Sequence, residues 1–303
     1  MSIRLLVVVS DQHVGSTIGL LRPGYSTAEG NEIGLNDGQR WLWEAWERMR
    51  ADVRKVIGKS DAALILNGDA TEGVHHGTTQ VVSNDPADHL GAAIYTLTPL
   101  AEMFGKVYVT RGTECHTHGM EGKLGAAIGA EKCPATGNRA ADEWHLDVAG
   151  VPISVRHHIS ATSRAWTLGS GLGIHLAHEQ LTACRVGHPR PRVLVRAHRH
   201  QHGYAEVGDS LIAVTGPWQL LTRYAHKAVP GSISEPTAVV LETASAGSSS
   251  RGRGRTATCP TRQRCDGPRR REGGWRYEAA SLRQPGHPAP HPRQGRRRRL
   301  WSR

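Results

Sequence analysis

Three short apolar runs, each followed at once by polar residues, constrain the fold of this chain more than any other feature. They occupy residues 3–9, 62–66 and 106–110, and the first of them is rich in β-branched side chains. Runs of this length and composition are typical of strands that are buried on both faces of a sheet. The polar residues after each run therefore belong to loops at one edge of a predicted sheet.

Two helical stretches separate these runs. Over residues 37–57, large apolar side chains recur at steps of three and four, the spacing of a helix that packs on a sheet. These side chains are Trp43, Trp46, Met49, Val53 and Val56. Residues 85–104 predict a second helix, which Pro99 kinks or divides. The alternation of strand and helix is typical of an α/β fold.

Short alternating runs replace this pattern in the second half of the chain. They cover residues 144–148, 152–157, 193–197, 211–215 and 237–241, with one helix predicted at 173–185. This pattern predicts a second, more antiparallel sheet. Because both halves send polar loop residues to one proposed site, we predict a single domain over residues 1–244. Its predicted fold is a four-layer α/β/β/α sandwich of two facing mixed sheets with flanking helices.

The positive charge of the chain is concentrated after Ala246. The formal net charge is +11, but 16 of the 38 basic and 3 of the 27 acidic residues follow Ala246, which leaves −2 before it. Residues 247–303 are rich in Gly, Ser, Arg and Pro, so they bury too little apolar surface to offset the entropy of ordering. We predict a disordered Arg/Gly/Pro-rich tail, which could bind nucleic acid non-specifically.

The cysteines and the N-terminal residues indicate the cellular compartment. The five cysteines form no CxxC pair, and an odd number argues against a closed disulfide framework. The apolar run that starts the chain ends at Asp11, which is too short for a signal sequence or a membrane span. These features predict a cytoplasmic protein with no membrane association.

Five polar clusters carry the chemistry, and each follows a predicted strand. They are Asp11-x-His13, Gly68-Asp69-x-x-Glu72, Gly112-Thr113-Glu114-x-His116, His157-His158 and His198-x-His200. A two-metal site that hydrolyses phosphate esters needs carboxylate oxygens, imidazole nitrogens, one bridging carboxylate and an edge open to substrate. The clusters supply that set. We also expect the side chains of the pair His198-x-His200 to share one face of an extended segment.

The order of these motifs resembles that of the calcineurin-like metallophosphoesterases. That family has Asp-x-His, Gly-Asp, Gly-Asn-His, a lone His and Gly-His-x-His in this order, and the resemblance spans residues 1 to about 242. Residues 111–119 look like the phage-encoded branch of the family. Each motif alone is common, whereas five in the right order on the right elements are specific.

The resemblance implies a set of metal ligands. Asp11, His13 and His200 would bind a first ion, and Asp69 would bridge it to a second. The second ion would take His198 and one of the pair His157 and His158. We favour His157 because it directly ends a predicted strand, although a shift of one residue reverses that choice.

The chain departs from the family at Gly112-Thr113-Glu114, where the family has an Asn ligand followed by a His. Either Thr113 or Glu114 could take the ligand position, and His116, two residues further on, could serve as the proton donor. Arg111 or Arg164 could contact phosphate oxygens.

The function implied by the resemblance is hydrolysis of a phosphomonoester or phosphodiester by in-line attack of a metal-bridging hydroxide. Mixed His and carboxylate ligands suit Mn²⁺, iron or Zn²⁺. The substrate could be a nucleotide or a nucleic acid. The alternative is a nucleic-acid-binding protein that acts through its basic tail and keeps a vestigial metal site. His75 and His76 are expected in a solvated loop that could line the substrate entrance.

Overall fold

The computed structural model describes residues 3–57, 61–117, 119–159, 168–228, 233–243 and 275–281. The strands are β1 (Leu5–Val9), β2 (Ala62–Asn67), β3 (Lys106–Thr110), β4 (Glu143–Val148), β5 (Val151–Arg156), β6 (Val193–Arg196), β7 (Gly203–Val207), β8 (Ser210–Val214), β9 (Thr237–Thr243) and β10 (Trp275–Ser281). The helices are α1 (Asp37–Ile57), α2 (Pro86–Ala101), α3 (Glu114–Thr117), α4 (Met120–Ala127), α5 (Leu168–Arg185) and α6 (Arg223–Ala228).

The first sheet has the strand order β10-β9-β1-β2-β3. Strands β1, β2 and β3 are parallel, with Val9 opposite Leu66 and Asn67 opposite Thr110, so all three end at one edge. Strand β9 pairs antiparallel with β1. The run at residues 237–241 was expected with the second-half strands, and this is wrong, because β9 returns to the first sheet.

The second sheet has the order β4-β5-β6-β8-β7. Strands β5, β6 and β8 are parallel, while β4 and β7 pair antiparallel at its edges. The sheet is therefore mixed, as the fold prediction states, and less antiparallel than the alternating runs suggest. Strand β7 was not predicted. Its side chains are mostly half-buried or exposed, so it lacks the apolar signal.

Three separate apolar cores define four layers. Leu5, Val7 and Val9 of β1 face helices α1 and α2, whereas Leu6 and Val8 face the second sheet. A third core joins the outer face of the second sheet to α5. The predicted α/β/β/α sandwich of two facing mixed sheets is thus confirmed, because apolar side chains lie on both faces of each sheet.

Helices α1 and α2 keep the predicted positions. In α1, Trp46 is fully buried and meets Trp218 edge-on at 4.7 Å between ring centroids, whereas Val56 is 44% exposed. Helix α2 continues through Pro99 and is capped by Asp85, whose side chain accepts the Ala87 N–H. Of the two alternatives for Pro99, division of the helix is therefore excluded.

One segment of the predicted disordered tail is ordered. Strand β10 pairs antiparallel with β9 along seven residues, from Trp275 opposite Thr243 to Ser281 opposite Thr237. The tail's low aliphatic content misled the prediction here, because an edge strand gains backbone hydrogen bonds whatever its composition. The rest of the tail lies outside the described residues.

Within the described residues, no helix is both long and apolar enough to cross a membrane. Cys115, Cys133 and Cys184 carry free thiols. Cys259 and Cys265 lie outside the described residues.

The layered core predicts a large effect of truncation in β2. Leu64 is fully buried against the helices, so Leu64→Ala should lower the free energy of unfolding by about 3 kcal/mol through lost burial and a residual cavity. Val56→Ala, at an exposed position of α1, should change it by less than about 0.5 kcal/mol. Urea denaturation measures both, and equal losses would contradict the layer assignment.

Candidate metal centre

The predicted site residues lie where strands of both sheets end. Asp11 and His13 follow β1, and Asp69 follows β2. His157 comes directly after β5, while His198 and His200 follow β6. Hydrogen bonds tie the two edges together, because Trp218 N–H donates to the Asp11 carbonyl and the Asn67 side-chain amide donates to the Arg156 carbonyl. The facing sheets thus bring distant parts of the chain to one place.

Left-handed backbone conformations cluster at this edge. Among the described residues, seven non-glycine residues have positive φ, and five of them are predicted ligands. The five are Asp11 (52°), His13 (44°), Asp69 (50°), His198 (71°) and His200 (53°). Such conformations are unfavourable for L residues and concentrate at functional sites, where surrounding structure enforces them.

The positive φ angles at His198 and His200 contradict one expectation from the sequence. The pair His198 and His200 was expected to share a face of an extended segment. The structure instead has a bend over residues 198–200, with positive φ at both histidines, and β6 ends at Arg196. The rings of both histidines reach the other predicted ligands because the backbone turns at each of them. Alternation of side chains along an extended strand does not account for their positions.

Two glycines permit the close approach of the loops. A Cβ on Gly68, where φ is +82°, would lie 2.4 Å from His157 Nδ1. A Cβ on Gly112 would lie 2.2 Å from Asp69 Oδ1. Both positions therefore require a residue without a side chain.

Asp11, His13 and His200 form the first group of ligand atoms. His200 Nε2 lies 3.2 Å from Asp11 Oδ1 and 3.1 Å from His13 Nε2. Two atoms that bind one transition-metal ion at about 2.1 Å and at right angles lie about 3.0 Å apart. The spacing in this group therefore matches a shared ion.

Asp69 and His157 form the second group. His157 Nε2 lies 3.1 Å from Asp69 Oδ2, and its Nδ1–H donates to the Asn67 carbonyl at 2.7 Å. That donation fixes the tautomer and leaves Nε2 as the nitrogen that would meet a cation. His158 is exposed and adjoins His198, with 4.8 Å between ring centroids. Of the two histidines, His157 is the one beside Asp69.

Thr113 lies between these groups, and Glu114 does not. The Thr113 hydroxyl donates to Asp69 Oδ2 at 3.1 Å and lies 3.1 Å from His198 Nδ1. Its backbone N–H donates to Asp69 Oδ1 at 2.6 Å. Glu114 has an exposed side chain on α3 and belongs to none of the candidate ligand groups among the described residues.

The electrostatics of the cluster favour a cation. Burial alone would raise the pKa of Asp11, but the hydrogen bond and charge of His200 outweigh it and lower this pKa to about 2. Burial would likewise lower the pKa of His157, yet Asp69 outweighs it and raises this pKa to about 9. A field that holds a proton on a buried imidazole also stabilises a metal cation. At His198, burial and the His157 charge lower the pKa to about 4.

The donor set fits divalent metal ions. Among the described residues, buried Asp11 Oδ1 has only an imperfectly aligned contact with His200 Nε2, at 3.2 Å, which is unfavourable unless another positive group reaches it. The candidate groups Asp11-His13-His200, Asp11-Asp69-His157 and His157-His158-His198 each place three ligand atoms within 4.8 Å of one another. Mixed carboxylate and imidazole donors suit Mn²⁺, iron or Zn²⁺.

Glu72 lies beside the candidate metal ligands, although no role for it was predicted from the sequence. Its side chain is 4% exposed, and its Oε2 lies 2.9 Å from His13 Nδ1 and accepts from Gln219 Nε2 at 2.8 Å. A carboxylate on the second nitrogen orients a ligating imidazole. The signal was the carboxylate three residues after Asp69, in the motif itself.

His116 and Arg111 occupy different surroundings. The His116 ring is 4.7 Å from that of His13, and its Nδ1–H donates to the Glu72 carbonyl at 2.9 Å. Burial and the charge of His13 lower its pKa. Arg111 pairs with Asp142 at the surface, 3.4 Å from Nη1 to Oδ1. Among the described contacts none joins Arg111 to the cluster, and Arg164 lies outside the described residues.

Comparison with known proteins gives a weak likeness. No family model and no curated protein matches the chain. It is similar to an archaeal phosphodiesterase, at TM-score 0.37 and 10% identity over 78% of this chain and 93% of that one. It is also similar to Zn²⁺-bound Vps29 from Entamoeba histolytica, at TM-score 0.37 and 14% identity over 78% and 85%. A predicted phosphoesterase from Streptococcus pneumoniae gives 0.32 and 16% over 80% and 84%.

These likenesses give no support to a phage-encoded branch.

The tight packing at Gly112 generates a prediction about metal binding. Gly112→Ala should displace the Asp69 carboxylate and weaken Mn²⁺ binding at least about 10-fold, as loss of a supporting contact does in metal sites. Gly105→Ala is the matched control, because no atom of the described residues lies within 4 Å of the added Cβ. Isothermal titration calorimetry measures both affinities, and equal values would contradict a role for Asp69 in binding.

Proposed function

We propose that this chain is a metal-dependent phosphoesterase of the calcineurin-like type, with two divalent transition-metal ions held between the sheets. The observation that carries the proposal is the position of Asp69. Its Oδ2 lies 3.1 Å from His157 Nε2 and 3.9 Å from His13 Nε2, which belong to different ligand groups. A carboxylate between two groups of imidazoles is suited to bridging two ions.

The residues divide between the ions according to these groups. Asp11, His13 and His200 would hold the first ion together with Asp69. Asp69, His157, His198 and Thr113 would hold the second. Thr113 would replace the Asn of the resembling family, because its hydroxyl lies within 3.1 Å of both Asp69 and His198.

The exposed side of the cluster determines where substrate would enter. Asp11 and His157 are fully buried, whereas His200 is 31% exposed and His198 is exposed. A phosphate ester would therefore approach from the side of these two histidines. Bound ions would supply a water of lowered pKa as nucleophile and would polarise the phosphoryl oxygens.

His116 is proposed as the group that handles the leaving-group proton. Its Nδ1–H is committed to the Glu72 carbonyl, which leaves Nε2 for the substrate. Its lowered pKa keeps the ring neutral near pH 7, so it must gain a proton before it can act as an acid. Any contribution of Arg111 would require it to leave Asp142.

The chain organisation is proposed on the same basis. Residues 1–244 would form the catalytic domain of a cytoplasmic enzyme, with β10 completing its first sheet. A trimmed chain for activity assays should therefore end after Ser281 rather than after Ala246, because the shorter form loses the strand that pairs with β9.

Asp69→Asn tests the proposed function. With Mn²⁺ present, the protein should hydrolyse bis-p-nitrophenyl phosphate or p-nitrophenyl phosphate, and the preferred ester distinguishes a diesterase from a monoesterase. Asp69→Asn should lower kcat/KM more than about 100-fold, because the bridging charge is lost. Asp52→Asn, on the exposed face of α1, should leave it unchanged. Equal turnover in both variants, or no turnover and no bound metal in the parent protein, would refute the proposal.

A second pair of variants tests whether Thr113 or Glu114 takes the ligand position where the resembling family has Asn. Thr113→Val removes the hydroxyl at nearly constant volume and should weaken binding of the second Mn²⁺ ion about 10-fold or more. Glu114→Gln should leave that affinity unchanged, because the Glu114 side chain is exposed. Metal titration of both proteins distinguishes them, and the reverse pattern would transfer the ligand role to Glu114.

A further inference from the structure

A further group of side chains that could hold a metal ion lies outside the proposed centre. It consists of His75, His76 and Cys115, which contribute two ring nitrogens and a thiol sulfur within 4.8 Å of one another. None of the three belongs to the ligand set proposed above. We call this group the Cys115 cluster.

His75 is oriented as a metal ligand, which was not expected of a residue in a solvated loop. Its side chain is only 16% exposed, and its Nε2 lies 3.2 Å from Glu72 Oε1. Its other nitrogen, Nδ1, is buried and has no hydrogen-bond partner in the part of the chain that the structure describes. A carboxylate on one nitrogen and a bare second nitrogen is the arrangement found where an imidazole binds a metal ion.

Cys115 and His76 complete the cluster from a short helix and a loop. Cys115 is a half-buried free thiol on α3, and His76 is exposed in the loop after Glu72. Metal binding releases the thiol proton to solvent and leaves the thiolate as ligand.

We propose that the Cys115 cluster binds one Zn²⁺-class ion through His75 Nδ1, a ring nitrogen of His76 and the Cys115 thiolate. Two nitrogens and one thiolate form a donor set of borderline softness, which selects Zn²⁺ or Co²⁺ over Mg²⁺ or Ca²⁺. Three protein ligands leave a fourth position for water. The exposure of His76 gives the ion a path from solvent.

This third site would be joined to the proposed centre by one carboxylate. Glu72 Oε1 lies 3.2 Å from His75 Nε2, and Glu72 Oε2 lies 2.9 Å from His13 Nδ1. The Glu72 side chain is also held by Gln219. An ion on His75 would therefore polarise the same carboxylate that orients His13.

The test uses Co²⁺ and the full chain, because a thiolate ligand gives Co²⁺ a near-ultraviolet charge-transfer band that the proposed dinuclear centre, which has no thiolate, cannot give. The parent protein should show this band once Co²⁺ saturates all of its sites, and Cys115→Ser should abolish it and bind one ion fewer by elemental analysis. Cys184→Ser, at an exposed cysteine of α5, is the matched control and should keep the band.

Two further variants keep the outcome decisive. His76→Ala, at an exposed position, should weaken the Co²⁺ affinity of the thiolate site about 10-fold or more even if Cys115→Ser folds poorly. Asp69→Asn should keep the band whether or not it has lost hydrolysis, which separates this proposal from the proposed function. The proposal is overturned if the parent protein gives no band, if Cys115→Ser retains it, or if His76→Ala binds as tightly as the parent.

Discussion

The Asp69 carboxylate is the point on which the arrangement of the centre depends. It receives the backbone N–H of Thr113 at Oδ1 and the ring nitrogen of His157 at Oδ2, so it connects the loops after β3 and β5 to the end of β2. Gly68 and Gly112 have no side chains because this carboxylate and the His157 ring fill the space beside them. Buried charges of both signs are tolerated here because each neutralises the other.

The four-layer fold provides the stability that such a site requires. Buried carboxylates and left-handed residues at strand ends are each unfavourable, and they persist only where surrounding structure enforces them. The core between the sheets does this, since Trp144 packs edge-on against Tyr108 and donates its indole N–H to the Val109 carbonyl. Strand ends of both sheets are therefore held in register across the centre.

Glu72 connects the candidate metal centre to the neighbouring Cys115 cluster. It lies between His13 and His75, and Gln219 fixes its carboxylate from the loop after β8. Changes at the Cys115 cluster and at His13 are thus connected through one buried side chain, over contacts of 2.8 to 3.2 Å. That connection joins residues from three loops that are far apart in the chain.

The sequence by itself determined the strands β1 to β3, the helices α1 and α2 and the polar clusters after the strands, because apolar periodicity and strand-end polarity are local properties. It also placed Asp11, His13, Asp69, His157 and His200 among the candidate ligands. Only the tertiary structure placed Thr113 beside Asp69 with Glu114 in solvent, returned β9 to the first sheet, ordered β10 and gave Glu72 and His75 their contacts. These depend on which strand edges meet and which loops turn inward, and pairing between distant segments leaves no local pattern in a sequence.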